Sequence, residues 1–587
     1  MCAILGVFAK SSLNLDVQSR FKKALSLTTH RGPDSSNEIF LQNAFLGFNR
    51  LSIVGEKNGS QPFSNEDSTV FLLCNGEIYN YKNLRQELKC VHNFSTDSDC
   101  EIILHLYEED SKNFSSKLRG QFSFVIFDRN KNKLVFGRDR FGINPLYYSS
   151  WKSGILVSSE IKSLLALDKS ISKSLDPIGL KETFYLYGPT PPRTCFNNVF
   201  QVEPGHVITI DLVTNAIVKN KCYWSFPKED DLKLDGVKKK FSKLLKRAVE
   251  LRLQSDKSNF GVYLSGGLDS SSIVTLLVKV GELPQCFSIK FLNEELDESK
   301  HQETVTRLFE LPLFSVIGEN VFDSFVTQSI WHIEHPLIRT APVPMYGLSQ
   351  LVRNHDCKYV YCGEGADEIL LGYPVFIYNL CSIEDKISEY SKLENLFKYK
   401  RITGKKLVRD QIVNTAKKFN IPSDSTRNKQ LVEIQTKLSR YLLVQQGDRL
   451  SMSHGVEQRF PFLDEDFVDF LFSIPLDWFK NNCMNKQLLR KYIRNLVPEN
   501  ISSRKKQGYL APMDQQLYSS PFFSELIEQT GNNEFIRIVN KYFDVREFMK
   551  LVEGFKARTL SDIETIGILL VLSTYILHIQ FFESSQL

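Results

Sequence analysis

The sequence predicts two domains of different class: an α+β sandwich over residues 2–210, then an α/β unit over 230–587 with a parallel sheet and a helical C-terminal part. Three observations predict this. At 587 residues the chain is too long for one hydrophobic core. Its first two hundred residues are rich in short β-like runs separated by Gly, Asn and Asp. Beyond about residue 230 strands alternate with helices, the pattern of a parallel sheet.

In order along the first domain, the β-like runs are NAFLGFNRLSIV (43–54), TVFLLCNGEIYN (69–80), FSFVIFDRNKNKLVFGRD (122–139) and GHVITIDL (205–212). FSFVIFD and KLVFGRD, split by RNKN, predict a hairpin, whereas DCEIILHLYEE (99–109) has helical spacing. The stretch 205–230, with EPGH and FPKEDD, reads as the junction. Next comes a helix at 235–253, then strand, tight loop and helix in NFGVYLSGGLDSSSIVTLLVKV (259–280). QCFSIKFL (285–292) and CKYVYCGEGADEILL (357–371) repeat the strand-and-loop pattern. The most apolar window, 565–582, carries His578 and Gln580 and follows Glu564, so it predicts a buried helix and no membrane span.

Composition narrows the partners. With 42% hydrophobic and 24% charged residues the chain can build ordinary cores. A net charge of +5 is small for this length, so the basic runs at 238–240 and 398–406 predict solvated faces and no nucleic-acid partner. Eleven scattered cysteines, without a C-x-x-C pair, argue against a disulfide framework and against a zinc site, and favour a reducing, cytoplasmic setting. The first ten residues lack a basic n-region and a cleavage site, which argues against a signal peptide.

Two loops carry chemistry. In SGGLDSS (265–271), Gly266 and Gly267 let the backbone approach a phosphate, and the following helix N-terminus supplies free N–H groups. Ser265, Ser270 and Ser271 add hydroxyls, and Asp269 is a candidate Mg²⁺ ligand. A Walker lysine is missing, so the loop predicts a grip on pyrophosphate, with ATP cleaved between its α and β phosphates. GEGADE (363–368) follows a second strand; Asp367 is a candidate second Mg²⁺ ligand, and Glu364 a polar group near an activated carboxyl. Cys2 stands behind the initiator methionine as either a buried thiol or a nucleophile exposed when Met1 is removed.

Cys2, RGPDSS (31–36), NRLSI (49–53), CNGEIYN (74–80) and TDSDCEIIL (96–104) together resemble a class II glutamine amidotransferase domain of the N-terminal nucleophile type. SGGLDSS, CGEGADE, GDRLSMSHGVEQRFPFLD (447–464) and SRKKQGY (503–509) resemble the ATP-pyrophosphatase synthetase domain of glutamine-hydrolysing asparagine synthetases. The resemblance covers almost the whole chain, in order, and assigns the two domains those roles.

The resemblance implies that Cys2 attacks the glutamine amide, its own freed α-amine serving as base, with Asn75 and Gly76 as oxyanion hole. Arg50 would pair with the glutamine α-carboxylate, Glu77 and Asp99 with its α-ammonium, and Leu51, Ser52, Ile53 and Val54 would complete that pocket. ATP would bind around Leu264, Ile289, Cys362 and Gly363, and Lys506 would stabilise charge at the α-phosphate, its register shared with Lys505. Arg339, in IEHPLIRTAPVPMYGL (333–348), is the match for an acceptor-binding arginine, although it stands one residue further from PMY than the family pattern places it. The implied reaction is ATP-dependent amidation of aspartate by ammonia from glutamine, with Mg²⁺ as cofactor. The implied partners are these small molecules, and a homodimer is allowed. Amidation of a different carboxylate is the alternative. A catalytically dead interaction protein would have lost Cys2, Asn75, Asp269 or Asp367, and all four are present.

Overall fold

The computed structural model describes residues 1–584 except 153, 228, 230–233, 257, 374–375, 377–388, 477–478, 480–485, 495 and 505–510. Two six-stranded sheets form the N-terminal part. One runs Phe200–Gln201, Tyr147–Trp151, Gly154–Ser158, Ala3–Ala9, Ala44–Arg50, Ser35–Phe40. The other runs Ala216–Cys222, His206–Asp211, Lys133–Arg138, Gly120–Asp128, Val70–Ile78, Phe63–Ser64. All strand pairs within both sheets are antiparallel, and 120–128 with 133–138 is the expected hairpin. The strand Ala216–Cys222 lies inside the stretch read as the junction, so the second sheet extends past residue 210.

Alternation in the first strand explains the layering. Ile4 and Phe8 pack with Leu73, Val125 and Phe127 of the opposite sheet. Leu5 and Val7 face the other way, into a cluster with Phe21, Leu25 and Leu164 from the helices Leu15–Ser26 and Ile161–Leu167. On the far side, Leu72, Cys74, Phe124 and Ile126 pack with Ile102, Ile103 and Leu106 of the helix Ile102–Glu109. Strands covered on both faces read as continuous apolar runs, and the result is a helix–sheet–sheet–helix sandwich.

The C-terminal part holds a five-stranded parallel sheet in the order Leu313–Ile317, Gln285–Lys290, Asn259–Tyr263, Cys357–Tyr361, Glu457–Arg459. Its central strand lies between the second and the fourth, so the chain changes direction there. The loops after Tyr263 and Tyr361 therefore open side by side at the carboxyl ends of adjacent strands, where such sheets bind ligands. The helical run Asp562–Glu583, begun by a Ser561/Glu564 capping box, is long and apolar enough to cross a membrane. It nevertheless lies in the core, with Ile568 to Leu572 fully buried and Ser573 Oγ accepting from Leu337 N at 2.9 Å.

Candidate functional site

Two sites occupy the two sheet systems. At the first, the start of strand Ala3–Ala9 meets the middle of strand Val70–Ile78. The Cys2 backbone N–H donates to Asn75 Oδ1 at 2.5 Å, while Asn75 Nδ2 is buried without a hydrogen-bond partner. Asn144 Nδ2 fixes the neighbouring backbone by donating to Asn75 O at 2.6 Å. Position 76 must be glycine: its φ is +147° and an added Cβ would stand 2.0 Å from Gln121 O. The Leu51 N–H points at Cys2 Sγ, 3.4 Å away. Burial pushes the Cys2 thiol up to about 11, so at neutral pH it needs a base to become a nucleophile.

Around this thiol lie the other residues expected from sequence. Arg50 is buried and donates to the carbonyls of Val54, Gly55 and Glu56 at 3.1, 2.6 and 3.2 Å. Ser52 N donates to Asp34 Oδ2 at 2.8 Å, and Ile53 O accepts from Asp256 N at 2.9 Å. Asp99 Oδ2 accepts from Ile78 N at 2.6 Å, and burial pushes its carboxyl up to about 6. Glu77 is raised too, by burial and then by Asp99, and its Oε2 has no hydrogen-bond partner. Two buried carboxyls held above their ordinary range suit a cationic ligand, which would return them to the charged form.

This site is sealed by the second domain. Met1 N donates to Glu457 Oε2 at 2.6 Å, Glu457 Oε1 accepts from Arg459 Nε at 2.7 Å, and Arg459 Nη2 stands 3.5 Å from Glu77 Oε1. Arg31, fully buried, donates to Cys2 O at 3.0 Å and grips both carboxylate oxygens of Asp448 at 2.9 Å. Sequence reading quoted both segments but did not foresee that Arg31, Glu457 and Arg459 join across the two domains.

The second site is a cleft of about 1320 Å³, including its solvent mouth, at the carboxyl ends of the parallel strands. Leu264, Ser265, Gly267, Asp269, Ser270, Ile289, Cys362, Gly363, Glu364 and Asp367 all line it. Gly266, at φ +72°, packs its Cα against His301 and Gln302, where a Cβ would stand 2.7 Å from His301 Cβ. Ser271 is turned inward and fully buried in the helix Leu268–Lys279. Lys486 enters from the far C-terminal side: its ammonium lies 2.5 Å from Asp269 Oδ2 and 2.7 Å from Asp367 Oδ1. Sequence reading missed Lys486, because a lone lysine before QLLRK has no motif around it; its left-handed φ of +57° shows only in the fold. Lys505 and Lys506, the lysines read from SRKKQG, lie outside the described residues. Arg504 of the same segment does reach the loop, donating to Gly266 O at 3.3 Å and Glu298 Oε1 at 2.6 Å.

Arg339 is not among the residues lining this cleft. Its guanidinium sits over the Tyr187 ring, 5.4 Å from the centroid, with Nη2 donating to Tyr187 Oη at 3.4 Å. Tyr441 stacks obliquely on Tyr187 from the helical segment that also supplies Leu442, Gln446 and Gly447 to the cleft wall. That segment, Ile434–Asp448, is wound with the wider π spacing, which often marks ligand sites.

Known proteins resemble the chain in the same two halves. Residues 1–224 match the family described as glutamine amidotransferase domain, and residues 240–574 the one described as asparagine synthase. An asparagine synthetase [glutamine-hydrolyzing] of Bacillus subtilis is 30% identical, over 91% of this chain and 91% of its own. A probable asparagine synthetase of Dictyostelium discoideum is 33% identical over 64% of this chain and 66% of its own. The protein named amidase chyE from Penicillium rubens is 27% identical over 84% of this chain and 85% of its own. With two matching halves in order and one relative spanning nearly the full length, the chain belongs to the glutamine-hydrolysing asparagine synthetase family.

Proposed function

We propose that the protein makes asparagine from aspartate, glutamine and ATP. The observation that carries the ligase half is the Lys486 ammonium set between Asp269 and Asp367 beside the SGGLDSS loop. Aspartate is the proposed acceptor because a small amino acid needs a cation for its α-carboxylate, and Arg339 is the matching residue beside the cleft wall.

In this reading, Met1 is removed and the Cys2 amine becomes free to take the thiol proton. The thiolate attacks the glutamine amide carbon. Asn75 Nδ2 and the Gly76 N–H donate to the oxyanion, and the amine returns its proton to the departing ammonia. Water then releases glutamate from the thioester. Arg50 holds the α-carboxylate of glutamine, and Asp99 with Glu77 holds its α-ammonium. Ammonia passes through the protein interior, where it escapes protonation.

At the second site an oxygen of the aspartate β-carboxylate attacks the α-phosphorus of ATP, and pyrophosphate leaves. Lys486 neutralises phosphate charge, the loop N–H groups of 265–271 hold the phosphates, and Leu264, Ile289, Cys362 and Gly363 surround the base and sugar. The paired carboxylates of Asp269 and Asp367 are donors of the kind Mg²⁺ takes; when bound there it would neutralise pyrophosphate charge. Ammonia attacks the acyl carbon, AMP departs, and Glu364, which lines the cleft, accepts the ammonia proton.

Two proteins named amidases are similar to this chain at 27% identity, so amidation of another carboxylate is the competing reading. An acceptor screen that follows pyrophosphate release decides between them: aspartate should drive release, and release only with another carboxylate would transfer the assignment.

A further inference from the structure

Away from both sites, four side chains converge on the outer face of the amidotransferase sandwich. Glu66 comes from the turn between strands Phe63–Ser64 and Val70–Ile78, His92 from the loop after helix Tyr81–Leu88, and His105 and Glu108 from the helix Ile102–Glu109. One ligand atom from each lies within 4.8 Å of every other. Glu108 Oε2 is 3.2 Å from His105 Nδ1 and 3.6 Å from His92 Nδ1, and Glu66 Oε1 is 4.0 Å from His92 Nδ1.

These spacings suit one ion. Ligands about 2.0–2.2 Å from a tetrahedral Zn²⁺ stand about 3.4 Å apart. The two shorter contacts bracket that value; Glu66, the most exposed member, accepts from Asn93 N through its Oε1 at 3.0 Å and would have to shift inward to join them. A second observation concerns the opposite ring nitrogens. A metal-bound imidazole commonly turns its other N–H to a carboxylate. Here His92 Nε2 meets Glu109 Oε1 at 2.9 Å, and His105 Nε2 faces Glu101 Oε1 at 3.8 Å. His105 is 1% exposed, and that Nε2 has no hydrogen-bond partner at all. Glu101 is itself fixed by Ser95 and Thr96, each donating through backbone and hydroxyl. Asn65 Nδ2 holds the other oxygen of Glu108 at 2.8 Å.

We propose that Glu66, His92, His105 and Glu108 bind one divalent transition-metal ion, Zn²⁺ by the character of its two imidazole and two carboxylate donors. The ion would tie three segments together. One leads into the strand that carries Asn75 to Glu77, and another is the helix directly after Asp99, so the metal would brace the framework of the amidotransferase site. Without an ion, the same carboxylates and imidazoles face one another, and because a ligating imidazole must be neutral, metal and protons compete for the site.

The test uses the full-length protein, stripped with chelator, loaded with Zn²⁺ and exchanged into metal-free buffer. About one Zn²⁺ should remain per chain, with proton release on binding, and Co²⁺ should give tetrahedral ligand-field absorption without thiolate charge-transfer bands. His92→Gln should weaken retention about 10–100-fold or more. The exposed Glu66→Gln, which leaves the core untouched, should weaken it and remove any thermal stabilisation by Zn²⁺. Failure to retain the ion, thiolate bands with Co²⁺, or equal retention in both variants would overturn the proposal.

Discussion

The α-ammonium of Met1 donates to Glu457 Oε2 at 2.6 Å with both groups wholly buried, although 456 positions separate them. Burial alone would lower the affinity of this ammonium for its proton, but Glu457 outweighs it and the group is raised. The start of the amidotransferase domain is therefore held by the edge strand of the synthetase sheet. Removing Met1 frees the Cys2 amine and leaves Glu457 with Arg459 as its remaining cation.

Cys2→Ala should abolish glutamine-dependent synthesis, by a factor on the order of 10³ or more, while ammonia-dependent synthesis survives. Parallel assays with the two nitrogen donors check this; loss of both routes would contradict the separation of sites. Asn75→Ala should cut the glutaminase rate about 10²–10³-fold, the usual consequence of losing an oxyanion donor.

Lys486→Ala should lower the adenylation rate about 10²–10³-fold and spare glutamine hydrolysis. The products from ATP should be AMP and pyrophosphate, since the loop lacks a Walker lysine. Stoichiometric ADP and phosphate, or a Lys486→Ala enzyme with normal pyrophosphate release, would refute this role.

Arg339→Ala should raise the aspartate KM about tenfold or more, and the ATP KM little, if its guanidinium leaves Tyr187 to pair with the acceptor carboxylate. Steady-state kinetics with each substrate varied separately distinguish this from a stacking role, in which neither constant moves.

Arg31→Ala should destabilise the protein by about 3–5 kcal/mol, because it strands the buried Asp448 carboxylate; Glu160 also loses a contact but keeps Lys162 and Arg449. Arg31→Lys should recover only part, since an ammonium cannot match the two-pronged contact with Asp448. Urea unfolding of the three proteins measures both.

In the metal-free protein, burial lowers His105, but Glu101 and Glu108 outweigh it and raise the imidazole from 6.5 to about 9. A raised base contributes stability that is complete below its unfolded value and lost as pH rises through its folded one. Chelated wild type should therefore lose thermal stability from about pH 6.5 to 9, and His105→Gln should lose distinctly less over that range. Thermal melts across this window test it, and parallel curves would count against the charge cluster.

What the sequence by itself determined is whatever sits in contiguous runs. The hairpin at 120–138, the helix 102–109 and the alternating strands after 259 were legible because apolar periodicity and turn residues act over a few positions. The loops at 265–271 and 363–368 were legible for the same reason: backbone approach to a phosphate needs its glycines and hydroxyls in one tight stretch. Tertiary structure alone decided the pairings. Lys486 meets Asp269 across 217 positions, and Arg31 meets Asp448 across 417. The three-residue strand of the GVEQRF segment, Glu457–Arg459, becomes the sheet edge that seals Cys2. No local pattern announces such contacts, because a single charged residue reads as solvated surface until folding removes the water and supplies its partner.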